Sequence, residues 1–207
     1  MLLTRFTAEI PAPKRVLDIG VGQGRNALPL ARAGCHVMGI DPSAEAIVHT
    51  ERAAQEAGLT LELKQSDALT FEAKDHVFDA VLVFGLLQIL SRDAINTLFA
   101  RLRGWLTPGG LLFLSAWHQG DPSYAAINTQ WQPLGEASFR REEGELRTFL
   151  APGEILSLAH GFEALYHHEG LGPWHRHGAG EKERHGDVDF VGQLRASSTA
   201  AGEQRRG

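Results

Sequence analysis

Asp18, Gly20, Gly22, Gly24, Arg25, Asn26 and Asp41 are the residues whose types and spacing point most directly to chemistry. Six of them stand in the run Val16-Leu17-Asp18-Ile19-Gly20-Val21-Gly22-Gln23-Gly24-Arg25-Asn26, an apolar strand that breaks into a glycine turn and then a helix. Glycine lacks a Cβ and takes φ > 0 without clash, so such a turn brings backbone close to a ligand. The helix that follows aims its unbonded N–H groups at whatever sits above the turn. A dinucleotide fingerprint needs its third glycine where this chain has Arg25. The pattern here is D-x-G-x-G-x-G, and a carboxylate ahead of the first glycine repels a pyrophosphate but suits a ligand carrying an ammonium group. Asp41 lies 21 positions beyond Gly20, near the separation at which an acidic side chain reaches both hydroxyls of a ribose. NAD would use the same acid, so Asp18 and Arg25, not Asp41, separate the two kinds of ligand.

Alternating strands and helices must carry these residues. The apolar stretch His36–Ile40 is the strand that ends at Asp41; Pro42 stops it and Ser43 N-caps a helix over 44–57. Period-two alternation predicts a strand over 59–65, and the near-continuous apolar run Phe78–Phe84 predicts a central strand buried on both faces. Further on, the pattern gives a helix over 94–106, a turn at Thr107-Pro108-Gly109-Gly110, and a strand over 111–116. A short helix over 153–160 and strands over 162–168 and 188–194 complete the series. Seven strands with intervening helices imply an α/β fold with an open, mostly parallel sheet, helices on both faces, and a late antiparallel hairpin.

Composition excludes several classes. A chain of 207 residues is long enough for one full sheet with its helices, and a formal net charge of −5 argues against a dedicated nucleic-acid binder. The lone cysteine, Cys35, excludes an intramolecular disulfide. Residues 1–10 carry Arg5 and Glu9 and no apolar signal region, and the longest apolar run, 80–87, is too short to cross a bilayer. A soluble cytoplasmic protein without a membrane partner is expected; oligomeric state is not legible. Residues 1–195 read as a single domain, and residues 196–207 lack apolar periodicity and read as a disordered tail.

The glycine run resembles motif I of the class I S-adenosylmethionine (SAM) methyltransferases, whose fold is Rossmann-like. The sequence Gly24-Arg25-Asn26 followed by an Ala/Leu-rich helix narrows the likeness to the tellurite-resistance (TehB-type) small-molecule methyltransferases. A second match is Phe139-Arg140-Arg141-Glu142-Glu143-Gly144-Glu145-Leu146-Arg147, similar to that family's F-x-x-G-E-L-R with one residue more. A third is His175-Arg176, followed by Arg184 and a last strand. Val21 departs from the family's usual cysteine and Ala27 from its frequent serine. The resemblance implies SAM as cofactor, bound by Asp18, Gly20, Gly22, Gly24, Arg25, Asn26, Asp41, Pro42, Asp67, Ala68 and Phe84. In this reading Asp67 contacts the adenine amino group, with a helix cap as its alternative. Phe84 lines the methionine end, with plain core as its alternative.

The acceptor side rests on the histidine-rich stretch. His160, His167, His168, His175, His177 and His185 are six of the chain's ten histidines and fall within 26 residues. The spacing His175-x-His177 puts both rings on one face of an extended segment, and His185 would close a three-ligand set. No cysteine or regular spacing supports a metal, and methyl transfer from SAM needs none, so no metal is expected. A solvated polar loop is the other reading of these histidines. The resemblance assigns His175, Arg176 and Arg184 to a small anionic acceptor: guanidinium groups bind its oxygens and a histidine near neutrality takes up a proton. The region 117–150, with Trp117, Tyr124, Trp131 and Phe139, is the expected cover, or else ordinary packing. Three functions stay open: methylation of a tellurite- or selenite-type oxyanion, methylation of a small organic thiol, amine or hydroxyl, and SAM binding without catalysis.

Overall fold

The computed structural model describes residues 14–176 and 182–196. His177 and all of the expected tail except Ala196 lie outside the described residues. Chain order is β1 (Arg15–Ile19), α1 (Ala27–Arg32), β2 (His36–Asp41), α2 (Ala44–Glu56), β3 (Glu62–Gln65), β4 (Phe78–Phe84), α3 (Arg92–Trp105), and β5 (Leu106–Trp117). There follow α4 (Tyr124–Gln130), β6 (Gln132–Gly135), β7 (Ser138–Arg140), β8 (Leu146–Thr148), α5 (Glu154–Leu158), β9 (Phe162–Leu171), β10 (His175–Arg176), β11 (Lys182–Glu183), and β12 (Gly186–Leu194).

Seven strands form one sheet in the order β3-β2-β1-β4-β5-β12-β9. The first five pair in parallel, and β12 runs antiparallel between β5 and β9. The chain moves outward from β1 to β3 and then returns to β4 on the other side of β1, which opens a crevice above the carboxyl ends of β1 and β4.

Strand periodicity decides which helix each side chain meets. Leu17, Ile19, Val81, Val83, Leu112 and Leu114 face one layer with Ile95, Leu98, Phe99 and Leu102 of α3 and Ile155 of α5. Their neighbours Val16, Ala80, Leu82, Leu111 and Phe113 face the other, with Ala27 and Leu30 of α1. Burial on both faces explains the unbroken apolar run of β4. A six-residue helix such as α1 is too short to persist alone, so it owes its place to this packing. Ser43 and Ser91 cap α2 and α3 by accepting the N–H groups of Ala46 and Ala94.

Three expectations change. The turn at 107–110 is an irregularity inside β5: Phe78 pairs with Leu106 but Ala80 with Leu111, and Gly109 absorbs the excess chain at φ +81°. The strand expected over 59–65 shortens to Glu62–Gln65, an edge strand paired only with residues 38–41. Region 117–150 has its own structure: α4 and the small sheet β6-β7-β8, with Phe139 and Phe149 packed against Trp117, Tyr124, Ile127 and Trp131. The aromatics of the expected cover therefore mostly pack on one another.

One cation fastens this small sheet to the body. Arg92, at the start of α3, donates to the carbonyl oxygens of Glu136 (2.8 Å) and Phe149 (2.7 Å) and pairs with Glu154 of α5. Removing it leaves a half-buried carboxylate and two carbonyls unpaired. Arg92→Ala should lower the unfolding free energy by about 2–3 kcal/mol in urea titrations. Arg52→Ala, which breaks only the exposed Arg52–Glu56 pair, should cost less than about 0.5 kcal/mol.

Candidate active site

The glycine turn sits where β1 feeds α1. Gly20, Gly22 and Gly24 have φ of +77°, +52° and +74°. At Gly20 an added Cβ would meet nothing and at Gly22 only its own turn's carbonyl at 3.8 Å, so glycine is required there by backbone conformation and the floor above stays open. At Gly24 a Cβ would lie 3.0 Å from Thr50 and 3.1 Å from Leu28, so this glycine also serves close packing.

Asp41 reaches across from β2 and holds the turn. Its Oδ2 accepts the Gly22 N–H at 3.0 Å, its Oδ1 accepts the Ser43 N–H at 2.9 Å, and the buried Thr50 hydroxyl donates to the Gly22 carbonyl at 2.6 Å. A carboxylate oxygen has two acceptor sites, so each Asp41 oxygen keeps capacity for a further hydroxyl.

Asp18 is placed differently from a ligand-facing acid. It is 2 % exposed beneath the turn, accepts the Ala27 N–H at the start of α1, and has its Oδ2 without a partner among the described residues. Burial pushes its carboxyl up to about 7, against the opposing pull of the Ala27 hydrogen bond, and the nearby Asp41 charge adds to the rise. Two carboxyl groups thus lie close together under the glycine turn, a setting that favours a cationic ligand.

A cleft of about 520 Å³ opens above these strand ends, lined by Gly20, Val21, Gly22, Gln23, Arg25, Asn26, Phe84, Ser115, Pro173 and Asp189. Of the expected residues, Gly20, Gly22, Arg25, Asn26 and Phe84 meet there, while Asp41 holds the floor. Asp67 accepts from Leu69 N–H (2.7 Å), Thr70 N–H (3.0 Å) and the Thr70 hydroxyl (2.8 Å), and the last of these leads in holding its carboxyl below the usual range. A turn follows it rather than a helix to cap, and Oδ2, with only the last of these bonds, keeps acceptor capacity. Ala68 is buried in the main core, and Pro42 uses its carbonyl to accept Gln65. Gln23, Ser115, Pro173 and Asp189 were not legible as cleft residues, because three of them come from distant strands and a late loop.

A second cavity, of about 410 Å³, is lined by Gln88, Ile89, Trp117, Arg147, Glu183 and His185. Trp117 is two residues along β5 from Ser115, so the strand connects the two spaces. The His185 ring stacks on Trp117 at 4.2 Å, and the Arg147 guanidinium sits 5.6 Å from the same indole. Gln88 Oε1 is buried without a partner among the described residues. Arg147 closes the stretch Phe139–Arg147, which forms the β7–β8 hairpin.

The expected acceptor residues divide. His175 lies 5.2 Å from His185, ring to ring. Arg184 instead stacks on the exposed Trp174 at 4.9 Å and does not line the second cavity. Arg176 stands on β10 opposite Lys182. His185, Glu183 and Arg147 line the second cavity and are not among the acceptor residues expected from the sequence. Nearby Asp187 is raised chiefly by burial and also by Asp121, with His185, His175 and His118 opposing.

Residues 16–110 match a family model described as a methyltransferase domain. They are a methyltransferase domain. The fold and the cleft at the β1–β4 crevice agree, and SAM is the cofactor of this class. The chain is 31 % identical to the ubiquinone biosynthesis O-methyltransferase of Methylocella silvestris over 148 residues, 68 % of this chain and 54 % of that relative. It therefore spans about half the length of that curated relative. Among solved structures, a SAM-dependent methyltransferase from Methanosarcina mazei superposes with a TM-score of 0.74 at 25 % identity, over 88 % of this chain and 93 % of that one. TehB from Haemophilus influenzae superposes with a TM-score of 0.72 at 20 % identity, over 91 % of this chain and 60 % of that one, a likeness of fold alone. The TehB-type resemblance is thus corrected to the broader methyltransferase class. Among the described residues no helix is long and apolar enough to cross a membrane.

Two measurements test the cofactor side. Asp41→Ala should weaken S-adenosylhomocysteine by about 2 kcal/mol in calorimetry, the cost of leaving hydroxyls unpaired in a half-buried site, and NAD should not bind. The folded pKa of Asp18 lies above the ordinary carboxyl value of 3.8, so its stabilising contribution is full below that value and lost as pH rises through about 7. The melting temperature of ligand-free protein should fall between about pH 4 and pH 7 and level off above that, and Asp18→Asn should flatten that fall.

Proposed function

We propose that this methyltransferase transfers the methyl group of SAM to a hydroxyl oxygen of a small aromatic acceptor held in the second cavity. The observation that carries the reading is the cavity itself. It joins Trp117 and the aliphatic Ile89 to a polar edge of Gln88, Arg147, Glu183 and His185, and β5 supplies a residue to it and to the glycine-turn cleft alike, Trp117 here and Ser115 there. An apolar wall with a few convergent polar groups is the usual form of a small-molecule site. The curated relatives of about 30 % identity are named O-methyltransferases, which supports oxygen as the atom methylated.

The chain's residues fit the cofactor. The open floor over Gly20 and Gly22 admits close backbone contact. Asp41 accepts the ribose hydroxyls, Arg25 faces the methionine carboxylate, and the acidic surroundings of Asp18, Asp41 and Asp189 favour the ammonium and sulfonium charges. Bound SAM supplies a methyl already activated by its sulfonium. The protein then has to align the acceptor and exclude water, which is where most of the rate comes from in such transfers. Phe84 borders the cofactor cleft, and Trp117, against which His185 and Arg147 pack, backs the acceptor cavity. Gln88, whose carbonyl oxygen is buried unpaired, accepts a hydrogen bond from the acceptor, and Arg147 receives an anionic substituent.

Tellurite and selenite are not proposed. The oxyanion reading needed Arg176 and Arg184 at the acceptor, and Arg184 instead covers Trp174. A panel of phenols, aliphatic alcohols, thiols, amines, tellurite and selenite, assayed by mass of the methylated product, tests the reading. Phenolic hydroxyls should be methylated first, and turnover confined to thiols, amines or oxyanions would overturn it. Arg147→Ala should raise the acceptor KM at least tenfold and leave S-adenosylhomocysteine affinity within about twofold.

A further inference from the structure

The β10–β11 hairpin and the start of β12 bring together a set of side chains that the cofactor reading does not use. One ligand atom from each of His175, Glu183 and His185 lies within 4.8 Å of the other two. The sequence spacing suggested His177, which lies outside the described residues, as the partner of His175 and His185; among the described residues Glu183 joins them. Antiparallel pairing explains this, because His175 stands directly opposite Glu183 in the hairpin register.

The surroundings of the two rings fix which nitrogen each offers. Nδ1 of His175 lies 3.1 Å from the Pro173 carbonyl oxygen, which only accepts, so Nδ1 carries the proton. Nδ1 of His185 lies 3.0 Å from Asp121 Oδ2. Asp121 is 4 % exposed and also accepts the N–H groups of Gly186 (2.9 Å) and Ser123 (2.7 Å) and the Ser123 hydroxyl, so it too is an acceptor. With Nδ1 of each ring so engaged, Nε2 is the nitrogen that would ligate a metal. A carboxylate or carbonyl on the far ring nitrogen is the arrangement that orients metal-bound histidines and raises their basicity. Gly186 makes the Asp121 tie possible, since a Cβ there would lie 2.4 Å from the Asp121 nitrogen.

We propose that His175, Glu183 and His185 bind one divalent transition-metal ion of the zinc type. Two imidazoles and a carboxylate suit such an ion far better than magnesium, and three protein ligands leave a coordination position open. Glu183 and His185 both line the second cavity, so the open position faces it. Resting on the O-methyl reading, the ion would hold the acceptor hydroxyl there and lower its pKa. The hydroxyl proton passes to water, the oxygen's electron pair forms the new bond to the methyl carbon, and the sulfonium departs as a thioether. This site replaces the expectation of no metal drawn from the sequence.

Untagged protein, stripped with chelator and dialysed, is titrated with Zn²⁺ and Co²⁺. One equivalent per chain should bind at micromolar concentration or below, with visible Co²⁺ absorption, and Mg²⁺ should not compete. His175→Ala, Glu183→Gln and His185→Ala should each weaken Zn²⁺ at least a hundredfold while keeping S-adenosylhomocysteine affinity, which shows that they fold. Asp121→Asn should weaken Zn²⁺ about 10–100-fold without abolishing it. His160→Ala should bind as the parent does. Substoichiometric binding, or variants that bind as the parent does, overturns the site. These readouts are independent of methyl transfer, so a failed acceptor panel leaves the site standing, and a failed titration leaves the acceptor reading standing.

Discussion

The peptide of Gly22 is the point on which the cofactor side depends. Its N–H is taken by Asp41 and its carbonyl by Thr50, so one left-handed glycine is clamped from β2 and from α2 at once. Neither clamp would form with a side chain that moved φ out of that region. The clamp sets the height of the turn above β1, the start of α1, and the position of Asp41 itself. Burial of Asp18 under the same turn is the cost, and its raised pKa is the measure of it.

The acceptor side is organised by a different contact. Asp121, buried at the end of β5, accepts from Gly186 and His185 and so fixes the start of β12 against the β5–α4 turn. The β10–β11 hairpin carrying His175 and Glu183 closes over the same place, and Trp117 provides the flat surface on which His185 rests. A backbone-anchored carboxylate therefore does for this half what Asp41 does for the other.

The sheet was legible because its signals are local. Apolar runs, the glycine turn, Asp41-Pro42-Ser43 and the Ser43 cap each follow from a few adjacent residues, and the structure keeps their bounds to within a few positions. Thr107–Gly110 read as a turn because proline and glycine punctuate; the pairing of Leu106 with Phe78 made it a bulge instead. Region 117–150 was illegible as elements because β6, β7 and β8 are short and held by non-local aromatic packing around Phe149. The helix cap weighed for Asp67 gives way to a turn, in which it accepts three local hydrogen bonds. Arg184 stacks on Trp174, a contact that nothing in the sequence announces. Glu183 and Arg147 went unnoticed as site residues because only strand pairing brings them to the cavity.

The small sheet has a core of its own. Ala137, Phe139 and Phe149 pack with Trp117, Tyr124, Ile127 and Trp131, apart from the two clusters that flank the main sheet. Changes there do not disturb the packing that supports the glycine turn, since distant sites without shared partners act almost independently. The domain match, which ends at residue 110, stops before this sheet begins. Selection can therefore rebuild the acceptor side of such a chain, residue by residue, while the cofactor side stays untouched. A cushion of this kind makes new substrates accessible to an old scaffold, and it locates diversity in the aromatic cap and the late hairpin.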